Sequence, residues 1–411
     1  MKILHIAAGE LTGGAARGAY WLHTGLREIG VESKILTNST TTLGDEKVVS
    51  IITDKKTRIK SMIRSQLDGL FLLFYKNRKK IIFSTGFFGF DFTKTPEYKE
   101  ADIIHLHWIN GGFVSIKHLA KIKKPIVWTM RDMWPMTGGC HYALDCEKYK
   151  TGCGACMQLN SKNKKDLSSI VLRRKKKYIS RNIKLVGISD WLSEEAKKSR
   201  LFIDYDVRTI SNNIDAKIFY PIGKKEAKKI CGIDSGKKVI LVGSTSLDDF
   251  YKGFGKFLEA VEFLDKDKYY ICSFGGNDKK MIKETGFEYK NFGFLHDNIS
   301  LQILYSAADV FVGPSIQEAF GKTLAESMAC GTPVVCFDTT GPKDIVTHKI
   351  DGYKANPFES EDLANGIKWV LNNENYDELC RNARKKVVEN FDIKIIAGKY
   401  KKLYEEILNK K

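Results

Sequence analysis

A chain of 411 residues, 43% of them hydrophobic, is long enough for two or three domains of about 150 residues, each with a buried core. Its apolar runs all fall short of the roughly 18 residues a membrane-spanning helix needs, so the sequence offers no helical span. Lysine and arginine outnumber aspartate and glutamate by 67 to 49, a net +18 that favours anionic lipid headgroups or nucleic acid, although no nucleic-acid motif is present and a lysine-rich solvated surface explains the same excess.

Met1–Ala8 is apolar and strand-like and has no cleavable secretory pattern, which sets a cytoplasmic expectation. It runs into Gly13-Gly14 and a helical pattern through Leu26, a strand–turn–helix unit in which Gly14 is a candidate phosphate or sugar contact; tight turn geometry alone also accounts for it. Further strands are predicted at 33–37, 47–52, 102–107, 125–130 and 184–188, separated by helical stretches, as in an alternating α/β layer. Between them, Met62, Ile63, Leu67, Leu70, Phe71 and Phe74 recur at helical spacing with basic residues at both ends. Two readings fit, a buried helix and a membrane-surface helix. Lys76–Lys80 and Arg173–Lys177 are basic runs.

Asp102–Phe113 ends a strand with His105 and His107 on one side, followed by Trp108 and Asn110. This is either a polar crevice wall or a pair of core histidines; a zinc pair lacks the spacing of a third ligand. Residues 126–141 carry Arg131, whose planar fork suits a carboxylate, phosphate or sugar hydroxyl, with Asp132 expected to orient it. Cys140, Cys146, Cys153 and Cys156 fall within seventeen residues. A structural zinc held by these four is the expectation, with free thiols or a labile disulfide as alternatives and His141 as a substitute ligand. The other five cysteines are expected in cores.

Turn chemistry at 211–221 suggests a boundary. The predicted organisation is an acceptor-side domain over 1–215, a linker over 216–236, a nucleotide-sugar domain over 237–385, and a helical strap over 386–411 returning to the first half. The second half restarts with a strand at 237–244, a helix at 254–264 and a strand at 269–274. Lys252 follows the first of these strands, where a lysine can neutralise a diphosphate. Residues 309–337 read as strand (309–313), helix from Gly321, glycine stop at Gly331 and strand (333–337), with ligands expected beyond the carboxyl ends of the strands. That places Glu318 at the mouth of a site, Gly321-Lys322-Thr323 at a helix N-terminus suited to phosphate, and Glu326 where it can accept from ribose hydroxyls. A capped helix with two solvated glutamates fits the same spacing.

The run from Glu318 to Glu326 (Glu-Ala-Phe-Gly-Lys-Thr-Leu-Ala-Glu), the following Ala-Cys-Gly-Thr-Pro-Val-Val and the Thr-Gly-Pro-Lys-Asp-Ile-Val segment at 340–346 resemble the signature of retaining nucleotide-sugar glycosyltransferases of family 4. Residues 126–141 resemble a polysaccharide-building branch of that family, the colanic-acid type. The resemblance implies the GT-B fold, two Rossmann-like parallel-sheet domains facing across a crevice, and transfer from a nucleoside diphosphate sugar with no catalytic metal. The implied acceptor is a lipid-linked surface glycan, at the inner face of a membrane. Carried over, Glu318 contacts the donor sugar, Glu326 the ribose and Lys252 the diphosphate, with Gly14, Ser244, Phe320, Gly321, Lys322 and Thr323 around the donor. His105, His107, Trp108 and Asn110 fall on the acceptor side. Arg131 stands where many relatives have a histidine at the reaction centre, and Ser244 and Tyr251 precede Lys252 where an arginine is common. An epimerase or phosphorolytic enzyme on the same fold, or a non-catalytic basic membrane- or nucleic-acid-binding protein, are the alternatives.

Overall fold

The structure is a computed structural model that describes residues 1–40, 43–234, 236–244, 249–276, 279–295 and 297–409. The chain forms two compact units. Unit 1 comprises Met1–Ser211 with Ile396–Lys411, and unit 2 comprises Asn212–Ile395.

Unit 1 is built on seven strands: β1 (Lys2–Ile6), β2 (Glu32–Thr37), β3 (Val48–Ser50), β4 (Ile103–Leu106), β5 (Ile126–Met130), β6 (Lys184–Gly187) and β7 (Val207–Thr209). They lie in the order β3-β2-β1-β4-β5-β6-β7, all pairs parallel. Central strands such as β4 and β5 are buried along their whole length, which is why they read as near-continuous apolar runs. The order reverses between β1 and β4, and their register sets His5 beside His105.

Unit 2 has six parallel strands: β8 (Lys238–Gly243), β9 (Tyr269–Phe274), β10 (Tyr289–Asn291), β11 (Val310–Gly313), β12 (Val334–Phe337) and β13 (Gly352–Ala355), in the order β10-β9-β8-β11-β12-β13. Here the order reverses between β8 and β11. In open parallel sheets such switch points open a crevice at the carboxyl ends.

Six helices flank the sites in the two units: α1 (Gly14–Glu28), α2 (Lys55–Leu70), α3 (Leu167–Tyr178), α4 (Phe254–Val261), α5 (Lys322–Ala329) and α6 (Ile393–Asn409). The residues of α6 from Ile396 on belong to unit 1. Ile396, Ala397, Tyr400, Leu403 and Tyr404 share a core with Ile3, Leu22, Ile103 and Val127. The helix over Tyr376–Asn390 stays in unit 2, so the strap starts about ten residues later than expected.

The expected linker over 216–236 is instead part of unit 2. It contains a helix, Lys224–Ile230, whose Lys224 and Lys228 reach the buried carboxylate of Asp309 at 2.9 and 3.0 Å. The basic run on α3 also differs from a solvated face. Lys175 is wholly buried, 3.6 Å over the Trp134 ring, and donates to the carbonyls of Trp134 and Thr137. Burial pushes its ammonium down to about 7.

Candidate active site

In unit 2 the loops after β8 and β11 meet at the switch point. Lys252 comes from the first loop and Glu318 from the second, with Nζ 3.2 Å from Oε1. Two features fix this meeting. Gly253 sits at φ 69°, and a Cβ there would lie 1.8 Å from the Pro314 carbonyl, so only glycine lets the Lys252 loop lie against the Glu318 loop. Ser315 Oγ donates to Glu318 Oε2 at 2.9 Å, holding the carboxylate from its far side.

The backbone of Glu318 is clamped in turn. Its N–H donates to Thr340 Oγ1 at 3.3 Å, and its carbonyl accepts from Gly341 N at 2.9 Å. Thr340 has φ 50° and ψ −150°, a strained conformation for a β-branched residue that persists where its surroundings over-determine it. Spacing alone gave no sign of Ser315 or of this clamp, although the 340–346 segment belongs to the resemblance.

Gly321, at φ 108°, opens α5 without a side-chain cap, at the end of the helix where the dipole favours an anion. Thr323 and Ser244 line a small hollow with Lys252 and Glu318. Lys322 is buried. One expectation changes here. Phe320 packs edge-to-face on Phe391, ring centroids 5.5 Å apart, so its side chain is core. Glu326 is fully buried and accepts from Tyr305 Oη at 3.2 Å, which removes the alternative of a solvated glutamate at this position.

In unit 1, Gly14 is exposed at φ 42° in the first turn of α1. The expected acceptor wall lies inside. His105 and His107 are buried, because β4 is a central strand and α6 covers it: His105 Nδ1 lies 2.6 Å from Tyr404 Oη and its Nε2 2.7 Å from Thr129 Oγ1. Asn110 is buried too, while Trp108 is half-buried and packs on His141 with centroids 5.7 Å apart.

Arg131 Nη2 approaches His107 Nδ1 at 3.3 Å, and His107 Nε2 lies 2.8 Å from His5 Nδ1. A guanidinium only donates, so His107 Nδ1 accepts and its proton sits on Nε2, which donates to His5. The His5 proton is therefore on Nε2, which has no hydrogen-bond partner among the described residues. Burial holds Arg131 down at about 10 and all three imidazoles well below their ordinary value, so the histidines are neutral. His5 was missed because it joins the pair only through β1–β4 pairing.

The ring nitrogens of these three histidines lie within 4.8 Å of one another. Both His105 nitrogens already have partners, a guanidinium stands beside His107, and no carboxylate among the described residues completes the group. The arrangement is that of a hydrogen-bonded network rather than a cation site. Asp132 does not orient Arg131. Its carboxylate takes His141 Nδ1 at 2.6 Å and Trp134 N at 2.8 Å, and His141 Nε2 lies 2.9 Å from Ser84 Oγ. His141 is thereby withdrawn as a metal ligand.

The four cysteines of the cluster are free thiols, three half-buried and Cys156 buried. Burial raises the thiols of Cys140, Cys153 and Cys156, and the neighbouring cysteines add to it. Among these four residues no three sulfurs fall within 4.8 Å of one another.

A second cleft lies in unit 1 at the amino ends of β1 and β2, lined by Lys2, Leu4, Ser33 and Glu100. It is at the opposite end of the sheet from the side where such folds bind ligands.

Residues 223–387 match the family model of glycosyl transferases group 1. The chain is 30% identical over 207 residues to a Campylobacter jejuni N,N'-diacetylbacillosaminyl-diphospho-undecaprenol alpha-1,3-N-acetylgalactosaminyltransferase, a match covering 48% of this chain and 54% of that one. It is 25% identical over 263 residues to the putative colanic acid biosynthesis glycosyl transferase WcaC of Escherichia coli, covering 62% and 63%. The chain thus spans between half and two thirds of these relatives. In fold, it aligns over 98% of its length with 99% of Anabaena HepE, solved with UDP and glucose, at a TM-score of 0.65 and 16% identity. The two parallel-sheet units are those of the GT-B fold.

Proposed function

We propose, from the match of residues 223–387 to the family model of glycosyl transferases group 1, that the chain moves a sugar from a nucleoside diphosphate donor to a hydroxyl of a glycan acceptor. The observation that carries this reading is the meeting of Lys252 and Glu318 at the switch point of unit 2, beside the uncapped start of α5. A diphosphate there would draw Lys252 from Glu318, and the α5 amides would share the charge that develops as the sugar departs. Glu318, freed from Lys252 and still held by Ser315, would accept from the sugar hydroxyls. Retention of anomeric configuration, and an acceptor carried on a lipid at the inner face of a membrane, are the finer parts of the proposal. The diphospho-undecaprenol in the name of the Campylobacter relative supports the lipid carrier, and retention rests on the resemblance of the Glu318–Glu326 run.

The test is release of nucleoside diphosphate from a panel of nucleotide sugars, with and without a lipid-diphosphate-linked glycan, followed by the anomeric configuration of the product. Acceptor-dependent release with retention is expected. Binding of no nucleotide sugar, or release indifferent to acceptor, would overturn the reading.

Glu326 keeps the ribose role as a proposal. Glu326→Ala is expected to destabilise unit 2 by about 1–3 kcal/mol, since Tyr305 loses a buried acceptor. Glu326→Gln keeps an acceptor for Tyr305, so it should retain most of that stability while weakening nucleoside diphosphate binding. Urea melts and nucleotide titrations on the same preparations separate the two effects, and unaltered nucleotide affinity in Glu326→Gln would end the ribose assignment.

A further inference from the structure

Helix α2 faces the opposite way from an ordinary surface helix. Its buried positions are polar: Ser61 and Asp68. Its stripe of large apolar residues points outward. Met62 is 60% exposed, and after the helix Leu73 and Phe74 are 69% and 80% exposed, with Ile59, Ile63 and Leu70 also in the open. Of the six residues that defined the predicted apolar face, four lie on this open side, and Leu67 and Phe71 are half-buried.

The orientation is fixed by chemistry on the polar side. The Asp68 carboxylate accepts from Thr85 Oγ1 at 2.8 Å and from the backbone N–H groups of Gly86, Phe87 and Phe88 at 3.2, 2.7 and 3.3 Å. Gly112, at φ 72°, lies flat against the helix, where a Cβ would stand 2.5 Å from Ser65 N. Arg64 leans over the Phe90 ring at 5.6 Å. Rolling α2 to hide its apolar stripe would break all of these contacts and bury basic side chains.

Charge selects the occupant. Residues 55–80 contain nine lysines and arginines and a single acid, Asp68, which is the buried anchor. Lys55, Lys56 and Arg58 precede the exposed stripe, Lys60 lies within its first turn, and Lys76, Lys79 and Lys80 follow it, all exposed. An apolar stripe flanked at both ends by cations matches an anionic bilayer interface, with side chains in the acyl boundary and ammonium groups among the headgroups.

We propose that α2 and the turn through Phe74 are a lipid-docking face that seats unit 1 on an anionic membrane surface. This deepens the reading of a lipid-linked acceptor and rests on it for its purpose; its physical basis is separate.

The test is co-sedimentation of the full chain with vesicles of phosphatidylcholine alone and of equal parts phosphatidylcholine and phosphatidylglycerol, at physiological salt. Wild-type chain should partition onto the anionic vesicles at least about tenfold better than onto the neutral ones. The combined substitution Met62→Glu, Leu73→Glu and Phe74→Glu should abolish that partitioning while leaving the melting temperature and transfer to a water-soluble acceptor unchanged. Lys76→Ser, Lys79→Ser and Lys80→Ser together should remove the preference for anionic lipid. Wild-type chain remaining in the supernatant with both vesicles would overturn the proposal, as would equal binding by the triple glutamate variant. So would a wild-type dimer that the glutamates dissociate without any vesicle binding, which would assign the face to a second copy. Vesicle binding is read without catalysis, so a wild-type chain that binds neither vesicle yet shows acceptor-dependent release would count against this face alone, and the converse against the transfer reading alone.

Discussion

Lys252→Ala should lower turnover by about 10²–10³-fold, the range seen when one preorganised charge-stabilising group is removed from an active site. The ammonium stands at the end of a loop locked by Gly253 against the Pro314 carbonyl. The folded protein should hardly register the change. The Lys252–Glu318 pair is partly solvated, and such pairs contribute about 0–1 kcal/mol to stability. Initial rates and melting temperatures on one preparation test both halves. Glu318→Gln is the companion variant, since it leaves the cation in place but weakens the hydrogen bonds offered to a sugar. A melting temperature that falls in step with the rate would make the pair a structural strut, and a wild-type rate in Lys252→Ala would remove it from the chemistry.

Unit 1 should lose stability steeply as pH falls below about 6.5, the ordinary histidine pKa. His5, His105 and His107 are held far below that value, chiefly by burial and then by one another and the Arg131 guanidinium, and His23 is pushed down to about 4, again by burial. Below 6.5 the unfolded chain takes up protons at these four sites while the folded chain does not. The unfolded state then binds more protons, and stability falls with pH by roughly 1 kcal/mol per pH unit for each histidine until the folded pKa is reached. Above 6.5 both states are neutral at these sites and the effect is gone. Five of the six tryptophans lie in unit 1, so fluorescence during urea unfolding between about pH 7.5 and 5.5 follows the right unit. A midpoint that stays flat over that window would mean that the imidazoles can be protonated in place.

How much of this was legible depended on how local each feature was. The Glu318 unit was readable because strand, turn and helix follow one another within thirty residues, and so was the position of Lys252 after β8. His5 was not, since it meets His105 only when β1 and β4 pair across about a hundred residues of chain. On α2 the spacing revealed a stripe but not which side faces inward; that was decided by Asp68, whose partners lie in a later loop. Lys175 looked like its neighbours in a basic run, and only the Trp134 ring and two carbonyls of another segment set it apart. Asp132 was assigned to its sequence neighbour Arg131, whereas its carboxylate takes His141, nine residues on.

The division of the chain between its units reverses the order in which a ribosome would complete them. Unit 2 is one continuous piece, whereas unit 1 needs the residues from Ile396 on, including the Tyr404 hydroxyl that meets His105. At elongation rates of about 5–20 residues per second, the nascent first half waits roughly ten seconds or more with the β4 face that α6 will cover still open, while unit 2 emerges and can close. Chaperone capture during synthesis should therefore concentrate on the first 211 residues, and a stop codon near 396 would release a folded unit 2 tethered to an unfinished unit 1.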